Sequence, residues 1–277
     1  MKISRKIAVC SAIAAAFGSM SAQAALTLSV IDSLNVSPYT AFGLAFDGTN
    51  IWYSEASGVF GRIDQTVAGM PKIGPTYAVP GMSALAWTGS NLAFALGNQL
   101  VYRSTTGVNM GSLTLGRRAG LIDGLDIEGG KIYWSPDVSY AAQLNATTGV
   151  DEGIILPNPG GGLSGIERVI SGANDWLFVV NDGSSPRTIC RTLTSAPSSV
   201  FPAGECVSLP NSRYEDLAFD GRYLYAADYY GGRIDKMDLL LGGGSIFVPP
   251  GQVPEPATLA LLGLGLTGLC LTRRRKV

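Results

Sequence analysis

Gly48-Thr-Asn-Ile-Trp-Tyr-Ser54, Gly89-Ser-Asn-Leu-Ala-Phe-Ala95, Gly129-Gly-Lys-Ile-Tyr-Trp-Ser135 and Gly221-Arg-Tyr-Leu-Tyr-Ala-Ala227 are four copies of one seven-residue pattern. A looser copy runs from Gly172 through Asn174, Trp176 and Phe178, and the starting glycines lie 41, 40, 43 and 49 residues apart. Each copy follows a short apolar stretch: Gly43-Leu-Ala-Phe46, Ala84-Leu-Ala-Trp87, Gly124-Leu-Asp-Ile127, Gly165-Ile-Glu-Arg-Val169 and Asp216-Leu-Ala-Phe219. Asp47-Gly48, Thr88-Gly89, Glu128-Gly129 and Asp220-Gly221 join the two parts. These are hairpin signals, because glycine accepts positive φ. The returning segment is rich in aromatic and β-branched residues and reads as a second strand. Gly61-Arg-Ile-Asp64 and Gly232-Arg-Ile-Asp235 mark a third. Four short strands in about forty residues, repeated, describe a propeller blade.

Working outward, the spacing averages about 43 residues, so residues 25–252 accommodate five blades. The predicted fold is an all-β, five-bladed β-propeller; a sixth blade needs more chain, and a β-sandwich does not require a repeated sequence. Leu26 to Leu34 precedes the first copy and has no blade of its own, so it is expected to join the last blade and close the ring. One more strand is expected around Ser245 to Val248. The 49-residue interval places an insertion in the fourth blade, and that insertion holds Cys190 and Cys206, the only cysteines of the body. In an exported chain they are expected to form a disulfide. Ile51-Trp-Tyr-Ser-Glu55 and Ile132-Tyr-Trp-Ser-Pro-Asp137 make the body resemble the YWTD, NHL and SMP-30-like propeller repeats. Neither is an intact Tyr-Trp-Thr-Asp.

The two ends read separately. Lys2, Arg5 and Lys6 precede an apolar run from Ile7 to Phe17, and small residues lead to Ala22-Gln23-Ala24. This is the pattern of a signal peptide, residues 1–24, handled by the Sec translocon and cut after Ala24. The apolar run spans only about half of a ~30 Å hydrocarbon core. At the other end Val253-Pro254-Glu255-Pro256 leads into an apolar run from Ala257 to Leu271, followed by Arg273, Arg274, Arg275 and Lys276. The prolines enforce an extended segment. Residues 257–271 are expected to form a short transmembrane helix whose basic end stays cytoplasmic. Residues 253–277 closely resemble the PEP-CTERM sorting signal. The resemblance implies recognition of Pro254, Glu255 and Pro256 by an exosortase and temporary anchoring in the inner membrane. It also implies release to the envelope or exterior of a Gram-negative bacterium that makes exopolysaccharide.

Composition narrows the chemistry. The chain of 277 residues is 46% hydrophobic and 15% charged, with a net charge of −1 and no histidine. Histidine-based nucleophile systems, histidine-ligated metals and imidazole switches are therefore excluded. The charge is a sum over parts that do not stay together. Residues 25–252 hold 13 basic and 20 acidic residues, or −7, while both ends are basic. An acidic body does not suit nucleic acid as a partner. It also disfavours anionic polymers unless calcium bridges them.

Propellers usually bind ligands at a channel mouth near the starts of the innermost strands, where this chain places Phe42, Ser83, Asp123, Ser164 and Glu215, with Asp216 adjacent. Asp123, Glu215 and Asp216 are candidates to converge on a hard cation such as calcium or to act as a carboxylate pair in glycoside hydrolysis. Acids at such entry positions more commonly cap turns or remain solvated. Tyr229 and Tyr230, ahead of Gly231-Gly232, are candidates for glycan contact, whereas Trp52, Trp87, Trp134 and Trp176 occupy repeat positions that suit packing between blades. Gly160-Gly161-Gly162 lacks the lysine of a phosphate-binding loop. No residue is assigned a catalytic role. The expected activity is binding of exopolysaccharide or another surface protein; the alternative is a carboxylate-based glycosidase or a metal-dependent hydrolase or lactonase working in the channel.

Overall fold

A computed structural model describes residues 25–36, 40–79, 81, 84–117, 123–136, 140–157, 161–171, 174–183, 186–198, 200, 201, 204–209, 212–241, 244 and 245. The predicted signal peptide with Ala22 and Ala24, and the tail with Pro254, Glu255, Pro256, the run 257–271 and Arg273 to Arg275, lie outside the described residues.

All regular structure among the described residues is β-strand, arranged as five antiparallel sheets in a ring. Blade 1 comprises β2 (Ala41–Phe46), β3 (Ile51–Glu55), β4 (Val59–Ile63) and β5 (Lys72–Ala78). Blade 2 comprises β6 (Leu85–Trp87), β7 (Leu92–Leu96), β8 (Gln99–Arg103) and β9 (Asn109–Thr114). Blade 3 follows with β10 (Gly124–Glu128), β11 (Lys131–Ser135), β12 (Tyr140–Asn145) and β13 (Asp151–Pro157). Blade 4 is β14 (Leu163–Ser171), β15 (Asn174–Asn181), β16 (Thr188–Leu193) and β17 (Cys206–Ser208). Blade 5 takes three strands in order, β18 (Tyr214–Phe219), β19 (Tyr223–Asp228) and β20 (Arg233–Leu241), and its outermost strand is β1 (Leu26–Asn35) from the start of the body. The β1–β20 register runs from Leu26 opposite Leu241 to Asn35 opposite Arg233. The ring is therefore closed by hydrogen bonds between the two ends of the body, as its sequence predicted. The additional strand is only two residues long, β21 (Gly244–Ser245), paired with β20; residues 246–248 lie outside the described set.

The repeat has a local cause. In blade 1 Asp47 Oδ1 accepts the N–H groups of Thr49 and Asn50 at 2.8 and 2.7 Å, and its Oδ2 accepts Trp52 Nε1–H at 2.7 Å. In blade 5 Asp220 does the same for Arg222 and Tyr223, at 2.8 and 2.7 Å, and takes the Tyr225 hydroxyl at 2.7 Å. A side chain that closes a turn on its own backbone favours that turn before any tertiary contact forms. The adjoining Gly48 and Gly221 sit at φ 94° and 93°, a region costly for other residues.

Among the described residues the core is divided. Five apolar clusters occupy the five contacts between neighbouring blades. Trp52 packs between blades 1 and 2 with Phe60, Leu92 and Phe94. Trp134 packs between blades 2 and 3, and Trp176 between blades 4 and 5. Because successive strand residues face opposite sides, Tyr133 beside Trp134 packs instead between blades 3 and 4. Each sheet thus buries both faces, which a single blade could not do. The insertion of blade 4 lies between β16 and β17. Cys190 and Cys206 stand directly opposite in those strands and are disulfide-bonded. Beneath the insertion Arg191 is fully buried, ion-paired to Glu205 and 4.3 Å from the Trp176 ring centre.

Candidate functional site

The innermost strands β2, β6, β10, β14 and β18 neighbour one another around the ring axis. Aligned by repeat, their first positions are Gly43, Ala84, Gly124, Gly165 and Asp216. Small residues there let the strands approach: a Cβ on Gly124 would collide with the backbone of Ser164 and Ile166. The one large side chain, Asp216, fills the space left by the others. Its Oδ2 accepts the backbone N–H of Leu44 at 3.0 Å and of Leu85 at 3.2 Å; its Oδ1 accepts those of Leu125 at 3.4 Å and Leu217 at 3.0 Å. Burial pushes the Asp216 carboxyl well above the usual range, while these N–H donors pull it back. Asp216 serves as an internal tie between blades 1, 2, 3 and 5.

Two residues later, the aligned positions are Ala45, Ala86, Asp126, Glu167 and Ala218. Asp126 accepts the N–H of Arg168 in the next blade at 3.0 Å, and Glu167 accepts that of Phe219 in the next blade at 2.9 Å. Both line a cavity of about 330 Å³ at the end of the channel where the inner strands finish, walled by Phe46, Trp87, Ile127, Ile170 and Phe219. Their remaining exposure faces this cavity. Burial pushes Asp126 up to about 7. Burial, reinforced by the charges of Asp126 and Asp216, raises Glu167 well above the ordinary carboxyl range. At the rim, Arg168 is held by Asp175 at 2.8 and 2.7 Å, with Glu128 at 3.9 Å. A carboxyl group that is neutral near pH 7 beside a second protonatable one can donate or accept a proton. Sequence reasoning did not single out Asp126 and Glu167. The signal was present as two acids at a repeat position that otherwise holds alanine.

Of the acids expected at the start of the inner strands, Asp216 is engaged by the backbone donors above. Asp123 and Glu215 are buried. Glu215 pairs with Arg213 at 2.8 Å, on a different partner set from Asp216 one residue later. Among the described residues no group of three or more acidic or cysteine side chains is placed to hold a metal ion. Ser164 and Phe42 are buried, and Ser83 lies outside the described residues.

At this same end Tyr229 and Tyr230 do form a surface feature. Tyr229 packs edge-on against Phe42 with ring centres 6.4 Å apart and lies 6.0 Å from Tyr230. Tyr230 is 61% exposed. The Arg213 guanidinium stands 5.5 Å from both tyrosine rings, and that of Arg187 stands 5.2 Å from Tyr230. The turn carrying the tyrosines is anchored from below. Asp228 is fully buried and accepts the N–H groups of Arg213 at 3.1 Å and Gly231 at 3.0 Å, and Tyr229 N–H reaches the Arg213 carbonyl at 2.7 Å. The cluster therefore joins blades 1, 4 and 5 into one rigid aromatic and cationic patch.

Residues 252–276 match the PEP-CTERM protein-sorting motif. The PEP-CTERM tail marks the protein as exported, anchored by its C-terminus before processing and sorted by an exosortase. No curated protein matches the chain. Among solved structures, the glutaminyl cyclase of Myxococcus xanthus is 18% identical, with a TM-score of 0.42, over 74% of this chain and 75% of that one. A chain of the mitotic checkpoint complex is 15% identical, with a TM-score of 0.44, over 72% of this chain and 62% of that one. Neither likeness bears on activity.

Proposed function

We propose that this PEP-CTERM protein is a binding protein of the cell envelope or extracellular matrix whose propeller holds a polysaccharide on its Tyr229–Tyr230 face. The signal peptide of residues 1–24 directs it to the Sec translocon. Residues 257–271 hold it in the inner membrane until the exosortase acts at Pro254-Glu255-Pro256. The observation that carries the binding reading is the exposed Tyr230 ring, backed by Tyr229 and Phe42 and flanked by two arginines. A rigid aromatic face offers contact area to a sugar ring with little side-chain entropy to lose. A surface protein is the other partner such a face would suit. The test is a glycan-binding screen of the exported protein, with Tyr230→Ala as control. Saturable binding without turnover, weakened about tenfold by the substitution, is expected from the loss of one aromatic contact. Binding unaffected by Tyr230→Ala would reject this face.

A second reading rests on a separate observation, the Asp126–Glu167 pair in its cavity. It makes the protein a carboxylate-based hydrolase working in the channel. Product release from a glycoside or lactone panel, abolished by Glu167→Gln, would favour it over the binding reading.

A further inference from the structure

Resting on the polysaccharide reading above, we infer that the sugar held at Tyr230 carries a carboxylate, as in a polymer of uronic acids, and that Arg187 is the residue that selects it. The two arginines of the patch differ in their state of charge compensation. Arg213 is held by two carboxylates, Asp182 and Glu215, each at 2.8 Å. Arg187 forms no ion pair among the described residues, and its Nε is shielded from solvent without an acceptor. Among the described residues its guanidinium packs on the Tyr230 ring, at 5.2 Å.

A partly buried guanidinium whose Nε has no acceptor keeps unmet hydrogen-bonding capacity, and this one lies beside an exposed ring. A pyranose packed against the exposed part of Tyr230 would lie beside a guanidinium that already rests on the ring. A carboxylate there supplies two acceptors to match the planar fork of arginine, which a hydroxyl does not. The acidic body, with its net charge of −7, does not oppose this contact at close range. At about 0.15 M salt, charges beyond about 8 Å are screened, so the groups around Tyr230 decide; Asp182 and Glu215 are engaged with Arg213, which leaves Arg187 to meet an added anion.

The test compares binding of the exported protein to polygalacturonate and to the same polymer fully methyl-esterified, in chelator so that calcium cannot bridge acids. The free acid is expected to bind about tenfold or more tighter than the ester. Arg187→Gln is expected to abolish that preference, and Tyr230→Ala to weaken both polymers. Equal binding of acid and ester by the unaltered protein overturns the inference but leaves the polysaccharide reading standing. A preference that survives Arg187→Gln likewise removes Arg187 from the role. Failure to bind either polymer or any neutral glycan overturns both. The acid-against-ester comparison on the unaltered protein decides the first point even where a variant folds poorly.

Discussion

Asp216 accepts the backbone N–H of Leu44 at 3.0 Å across the ring axis, joining the innermost strands of blades 5 and 1, 172 positions apart in the chain. Innermost strands present an unpaired edge to the channel, and a buried N–H without an acceptor is costly. One carboxylate supplies acceptors for four of them. Asp216→Ala leaves those donors buried and unpaired and should destabilise the protein by about 3–5 kcal/mol. Urea titration checks this; a midpoint indistinguishable from that of the unaltered protein would remove Asp216 from the role of tie.

The pH dependence of stability should carry the mark of Asp126. Its carboxyl holds a proton up to about 7 in the folded chain, against about 4 when unfolded. The folded state therefore binds the extra proton, and the stability this contributes is complete below about pH 4 and lost as pH rises to about 7. Asp126→Asn keeps an acceptor for the Arg168 N–H but cannot ionise. It should match the unaltered protein near pH 4 and exceed it at pH 7 by about 2–4 kcal/mol. Denaturant curves at the two pH values decide; equal gaps at both would mean that Asp126 titrates normally.

The Cys190–Cys206 disulfide ties the three-residue edge strand β17 to β16 across the blade 4 insertion. Closing a loop of this size contributes about 3 kcal/mol on the chain-entropy model. Replacing both cysteines by alanine should lower stability by about that amount. It should also increase amide exchange at Val207 and Ser208 more than at β15. Uniform loss of protection across blade 4 would show that the bond supports the whole blade.

Sorting should depend on the three-residue motif. Replacing Pro254, Glu255 and Pro256 together with alanine is expected to leave an uncleaved, membrane-bound form in a strain that contains an exosortase. Fractionation and immunoblotting provide the readout. Unchanged processing would place recognition elsewhere in residues 252–276.

Much of the architecture was legible because the repeat is local. Asp47 with Gly48 and Asp220 with Gly221 carry the turn in themselves. The alternation within Ile51–Ser54 and Ile132–Ser135 sends neighbouring aromatics to opposite blade contacts. The absence of a blade for Leu26–Leu34 forced that run to the closing position, where β1 lies. The Cys190–Cys206 bond was legible because these are the only cysteines of an exported body.

The site was less legible. Glu215 and Asp216 are adjacent in the chain, yet their side chains meet different partners. Asp216 is consumed by backbone donors from three other blades, and Glu215 turns to Arg213. Asp126 and Glu167 share a cavity only because blades 3 and 4 are neighbours in the ring and their inner strands finish at one mouth. The sequence by itself determined the strands, their turns, the number of blades and how the ring closes, since these depend on periodicity and short-range hydrogen bonds. Only the tertiary structure decided which carboxylates are buried, which are paired and that, among the described residues, Arg187 lies against Tyr230 without an ion pair. Those properties depend on distances between residues far apart in the chain.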